Sequence, residues 1–310
     1  MAKEFLSYTE QLDKLKASGL TVSNEEECLR VLSDVGYFPV VNAYQGLFRN
    51  PSTRRFIQGA SFEAIHALYS FDDDLRNAAL KGLLAVERRL KSVLSHEFCA
   101  THGIGQGAYL SPESYGSSRE AAAIVPGLLR VLGFAANRDT AHPYLVHYRR
   151  TYSNVPLWVA MGTLTFGQCS KMYTALAETD KARVAKRLGA DRRGLTQMLR
   201  VLTLFRNVCA HGERLISHRC HVNIPDMPAH KTLDVPKEGA RYLRGKNDFL
   251  AMVISLQSLL PGDWYWSIEK ELSKCVTSYL GSALGIGEDA LYEALGLVPG
   301  WDELVDSASR

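Results

Sequence analysis

Within the segment Arg206-Asn207-Val208-Cys209-Ala210-His211, an arginine and a histidine have the chemistry to cut RNA. RNA carries its own nucleophile, the 2′-hydroxyl beside each phosphodiester. An imidazole that titrates near neutrality can take that proton or protonate the 5′-oxygen as it leaves. A guanidinium can grip phosphate oxygens in a fork and stabilise the charge that develops on them. Such a reaction needs no metal and leaves a 2′,3′-cyclic phosphate. Asn207 stands one helical turn before His211 on the same face, so its amide can orient the ring. Arg206 lies about 140° round from His211 on an ideal helix, so the two do not share a face. Either the arginine wraps round, or the helix breaks near Gly212 and turns the histidine, or a second copy completes the site. A helix-end arginine and a capping histidine in surface ion pairs is the competing account of the same residues.

Two further constellations are weighed against simpler readings. Cys209, His211, His218, Cys220 and His221 are soft and imidazole ligands close in sequence. Their spacing fits no common zinc-finger pattern, and Cys209 is expected to face the core as a small apolar group. No metal site is therefore expected. Arg89 and His96 are nearly two turns apart and share a helix face, which reads as a charged face turned to solvent. Basic residues are candidates for phosphate contacts: Arg88 and Lys91 on that helix, Arg193 and Arg200 on the motif helix, and Arg214 after it. Arg183, Lys186, Arg187 and Arg192 extend the same basic stretch, for which a solvated face is the alternative. Tyr37, Phe38, Tyr44, Trp264, Tyr265 and Trp266 can stack bases or pack into a core or interface.

The elements that must position these groups are helices. Leu75, Ala79, Leu83, Val86, Leu90 and Val93 advance by threes and fours along one stripe. The same period runs through 25–35, 157–176, 195–210 and 250–259, while strand-like alternation is scarce. Ser23-Asn24 before three glutamates reads as a helix start, Pro156 as a first turn, and Gly212 as a stop after His211. The stretches 103–116 and 222–246, the second holding three prolines, read as loops. The predicted architecture is all-α, a bundle of about eight to ten helices.

The chain has 310 residues, 46% hydrophobic and 22% charged, which suits a folded globule rather than a disordered segment. Its net charge of +3 excludes a protein that attracts polyanions over its whole surface, so any such site must come from local clustering. Six scattered cysteines without a CxxC pair do not form a disulfide framework. The charged, amphipathic start lacks the apolar run of a signal peptide, and no stretch approaches eighteen uninterrupted apolar residues. A soluble cytoplasmic protein without membrane contact is expected.

Five segments then carry a resemblance: GYFPVVNAYQGLF (36–48), LYSFDDDLRNAAL (68–80), VERRLKSVLSHEF (86–98), VPLWVAMGTLTFGQCSKMY (155–173) and LRVLTLFRNVCAHGERL (199–215). In this order the chain resembles the AbiD/AbiF-type abortive-infection proteins of bacteria, from about Gln11 to Trp301. The resemblance implies a HEPN-type helical bundle with N- and C-terminal helical extensions. It divides into an N-terminal region (1–60), a core carrying RNxxxH (61–221), a loop (222–246) and a C-terminal helical region packed on the core (247–310). The chain is also similar to the HEPN nuclease modules of RNA-guided type VI CRISPR effectors. Carried over by position, Arg206 and His211 are the catalytic pair and Asn207 their polar helper, with no cofactor. The implied activity is an anti-phage endoribonuclease whose two motifs face each other across a homodimer. The alternative is a non-cleaving regulator that binds a small non-coding RNA. Three positions depart from the pattern. Gly212 stands where an acidic residue is expected, Pro39 interrupts the first block, and His96 replaces a common aromatic.

Overall fold

The computed structural model describes residues 4–138, 142–282 and 284–304, so the first three and last six residues of the predicted terminal regions lie outside the described residues. The fold is all-α, with one two-stranded hairpin (β1, Lys237–Glu238, and β2, Arg241–Tyr242) among the described residues. Ser7 and Glu10 cap each other's backbone at the start of α1 (Tyr8–Ala17), and Asn24 accepts the Glu27 N–H at 3.0 Å to start α2 (Glu25–Asp34). A short π-helical turn follows at Phe38–Asn42. Pro39 fits in its first turn, where no hydrogen bond needs its missing N–H.

The axis of the molecule is α3 (Phe62–His102), whose 41 residues extend for about 60 Å. Ser61 caps it, accepting the Ala64 N–H at 3.1 Å. Around it lie α4 (Gln106–Leu110), α5 (Arg119–Asn137), α6 (Pro143–Tyr152), α7 (Leu157–Ala160), α8 (Phe166–Ala175), α9 (Glu178–Leu188) and α10 (Arg192–Ala210). The chain continues through α11 (Pro228–Thr232), α12 (Phe249–Leu259), α13 (Gly262–Gly281) and α14 (Glu288–Leu295). Helices α7 to α10, α12 and α13 all pack on α3. The core is apolar all round at α12, which is buried among α3, α10 and α13. At Gly82 the absence of a side chain lets α12 and α13 approach, since a Cβ there would meet Ile268 at 3.0 Å and Leu256 at 3.1 Å.

Three expectations are revised. The period through 157–176 does not make one helix: α7 passes into a 3₁₀ turn at Met161–Thr163, and Thr165 then caps α8 reciprocally with Gln168. The stretch 103–116 contains α4, anchored by the buried Tyr109, whose hydroxyl donates to Val155 O at 2.7 Å. The stretch 222–246 holds α11 and the hairpin, so it is ordered structure rather than plain loop. Helix α5, with a mean hydropathy of 1.2, is long and apolar enough to cross a membrane by length and composition. One of its faces (Ala121, Val125, Leu128, Leu132) is buried, and the helix packs on α8.

Candidate functional site

The motif rides on α10. Asp191 caps its start, accepting the Gly194 N–H at 2.9 Å. Leu195, Met198, Leu199, Leu202 and Phe205 are all buried and fix the helix in the core. The helix is unbroken through Ala210, and His211 stands just beyond it at φ −96°, ψ 3°. The backbone N–H of His211 still reaches Asn207 O at 3.0 Å. The chain then turns back on itself: Gly212 adopts φ +66°, and the Glu213 N–H returns to Val208 O at 3.0 Å. This is a Schellman ending, and it explains the glycine where the family pattern suggests an acid. A Cβ at residue 212 would meet nothing within 4 Å, so the left-handed conformation alone calls for glycine.

His211 is exposed, as is Asn207, and neither side chain makes a hydrogen bond among the described residues. Their link runs through the backbone, so the amide does not hold the ring here. Arg206 looks elsewhere. Its Nε lies 3.9 Å from Glu87 Oε2 on α3, and both atoms are buried without a hydrogen-bond partner. The other oxygen of Glu87 pairs with Lys91 Nζ at 2.8 Å. Glu87 thus stands between two cations, and a shift of about 1 Å would bring Arg206 into full hydrogen bonding with it. The left-handed turn at Gly212 follows the histidine, and His211 itself is exposed.

Sequence reasoning missed the device that holds the end of α10 in place. Asp72 on α3 is fully buried, and each of its oxygens is occupied. Oδ2 accepts the Tyr44 hydroxyl at 2.7 Å and the Leu215 N–H at 3.0 Å, while Oδ1 accepts the Ile216 N–H at 2.7 Å. Arg76, one turn on and itself buried, pairs with Asp72, reaches Asp73 Oδ1 at 2.7 Å and donates to Glu213 O at 3.4 Å. Residues 213–216, immediately after the motif, are therefore clamped onto α3. Burial, with Asp72 alongside, pushes the Tyr44 phenol well above its ordinary range, so it stays a donor. A signal for this clamp exists in the sequence. Asp72 falls in register with the apolar stripe, three residues before Leu75, and Arg76 follows it at i+4.

The candidate phosphate contacts divide. Lys91 is joined to Arg206 through Glu87, and Arg214, beside the motif, donates to Ala43 O from the exposed surface. Arg88 is exposed on α3 and makes no hydrogen bond among the described residues. Arg200 and Arg193 lie about 9 and 20 Å back along α10 from Arg206, the first paired with Glu120 and the second exposed at the far end. In the neighbouring stretch, Arg183 pairs with Asp180 and Arg192 with Glu178. Arg89 does not face solvent as expected. It donates to Leu259 O and Arg187 O, and so caps the C-terminal ends of α12 and α9. His96 remains exposed beside Glu97.

Among the described residues no three histidine, cysteine or acidic side chains gather as a metal-ligand group. Burial pushes the Cys209 thiol up to about 12, and it lowers His218, whose ring meets Phe205 edge-on. Of the aromatics, Tyr44 and Tyr265 are core residues, Tyr37 is half-buried, and Phe38, Trp264 and Trp266 are exposed.

The family model of the Abi-like proteins matches residues 30–217, well over half of the chain, and the protein belongs to that family. Membership supports a role in abortive infection, a form of defence. No curated protein and no solved structure matches the chain.

Proposed function

With that membership as the premise, we propose that the protein is a metal-independent endoribonuclease of HEPN type, acting on RNA in the bacterial cytoplasm, with Arg206 and His211 as its catalytic pair. One observation carries the reading. The motif ends in an exposed imidazole without a hydrogen bond among the described residues, on a helix end whose following residues are hydrogen-bonded to Asp72. An unengaged ring on a fixed support is what proton transfer requires. His211 of one copy takes the 2′-hydroxyl proton, the new O2′–P bond forms as the P–O5′ bond breaks, and His211 of the partner subunit gives a proton to the departing 5′-oxygen. Arg206 stabilises the charge on the non-bridging oxygens, and Glu87 is its positioning partner. Because Arg206 and His211 face different sides of α10, a second copy of the chain completes the site, each copy supplying one imidazole.

The test is incubation of the purified chain with total bacterial RNA in EDTA. Fragments with 2′,3′-cyclic ends are expected from the wild type and from neither Arg206→Ala nor His211→Ala. RNA that is bound but left intact would overturn cleavage and favour the regulatory reading. A 1:1 mixture of the wild type with His211→Ala should lose more activity than dilution alone explains, because mixed dimers lack one imidazole of the shared site. Full cleavage by a monomeric species would overturn the dimer.

A further inference from the structure

A trough of about 430 Å³ runs along the motif helix, with α8 at its base and α5 and α10 as its walls. It lies on a particular face of α10. Arg200 and Leu204 line it, and they continue at helical spacing into Asn207 and His211. The distance from Arg200 to His211 along the axis is about 16 Å, a span of a few nucleotides of single strand. The lining on α10 ends at Leu204, and the helix face it occupies continues to the exposed imidazole rather than to the Arg206 side.

Its lining is apolar within and cationic at the edge. Ala123, Ile124, Leu204 and Val222 give it an aliphatic wall. Thr203 adds to this, because its hydroxyl turns back to Leu199 O at 2.7 Å. Lys171, exposed and without a hydrogen bond among the described residues, stands on the α8 side, and His221 lies at the end contributed by the chain after the motif. Arg200 belongs to the same edge but is held across the trough by Glu120 of α5. Among the described residues Glu120 is the one carboxylate on the lining.

We propose that this trough is the subsite for the single-stranded RNA flanking the scissile phosphate. A base lies against the aliphatic wall, the neighbouring phosphates meet Lys171 and Arg200, and Glu120 is the residue that RNA displaces from Arg200. This rests on the nuclease reading, which it extends from the cleaved bond to its neighbours. The chemistry fits RNA because a nucleotide presents an apolar face and an anionic edge together. Duplex RNA keeps its base faces stacked and so offers none to the aliphatic wall.

The test uses the full chain carrying His211→Ala, so that RNA stays whole, and a fluorescein-labelled oligouridylate read by anisotropy. Lys171→Ala should weaken binding about tenfold and lower the salt slope by about one. Ala123→Trp, on the exposed face of α5, fills the trough and should weaken binding by about tenfold or more. Glu120→Gln should tighten binding about threefold, a gain that a damaged fold would not give. Unchanged affinity in Lys171→Ala and Ala123→Trp, or no binding by the His211→Ala chain, overturns the subsite. If the wild type cleaves RNA while the trough variants bind normally, only the trough is wrong. If RNA binds through the trough of a chain that never cuts it, only the nuclease reading is wrong.

Discussion

The stretch from Asn207 to Ile216 contains two opposite solutions for polar groups. At its start, Asn207 and His211 stand in solvent with no hydrogen bond to their side chains among the described residues. At its end, the Leu215 and Ile216 N–H groups enter the core to meet a carboxylate with donors on both oxygens. A buried charge is tolerated only when it is paired and hydrogen-bonded, and Asp72 meets that demand with Tyr44, Arg76 and two backbone amides. An exposed polar group without a partner adds little to stability and is free for chemistry. The clamp thus holds the backbone so that the open end has a fixed position. Arg206 and Glu87 are intermediate, close and partly buried with their nearest atoms unbonded.

Substitutions at each kind of place should separate the two roles. The largest loss of stability is expected for Asp72→Ala, which strands Arg76 and two amides; the cost should be about 4 kcal/mol in denaturant unfolding. A cost below about 1 kcal/mol would mean that the clamp is replaceable by water. A second buried carboxyl sharpens the contrast. Glu269 on α13 is 5% exposed and makes no hydrogen bond among the described residues. Burial, with Asp302 adding to it, raises its carboxyl from 4.5 to about 7. Its folded state therefore holds a proton that the unfolded chain gives up, so its contribution to stability is present below pH 4.5 and is lost as pH rises through about 7. Glu269→Gln keeps the neutral form at every pH. It should stabilise the protein by up to about 3 kcal/mol near pH 8 and by little near pH 4, as read from melting curves. A constant difference across that range would contradict the assignment.

Smaller still is Gly212→Ala, where a side chain must enter the left-handed region. A loss of about 1 kcal/mol is expected, with a larger fall in RNA cleavage because His211 moves with the turn. Equal losses in both would show that the Schellman ending serves stability alone.

What could be read from the sequence follows from what is local. The start of α2, the apolar stripe of α10 and its end at Gly212 depend on neighbours in the chain, and they appear where periodicity and capping place them. The break between α7 and α8 was also written locally, in Thr165 and Gln168 as a reciprocal cap, but a continuous apolar period hid it. The position of Arg206 was not legible, because it depends on Glu87, which reaches it from another helix. The clamp was half legible: Asp72 in an apolar register announces a buried charge, but its amide partners come from a segment far along the chain. Helical geometry already separated Arg206 from His211, and in the structure Arg206 turns toward Glu87 of α3 while His211 is exposed.

The most direct test of the account is to measure His211→Ala twice in one buffer containing EDTA, once for its unfolding midpoint and once for its cleavage of RNA. The account predicts a midpoint within about 0.5 kcal/mol of the wild type together with no 2′,3′-cyclic ends. A variant that cuts RNA as the wild type does, or one that unfolds, would contradict the claim that the open end of α10 carries the chemistry.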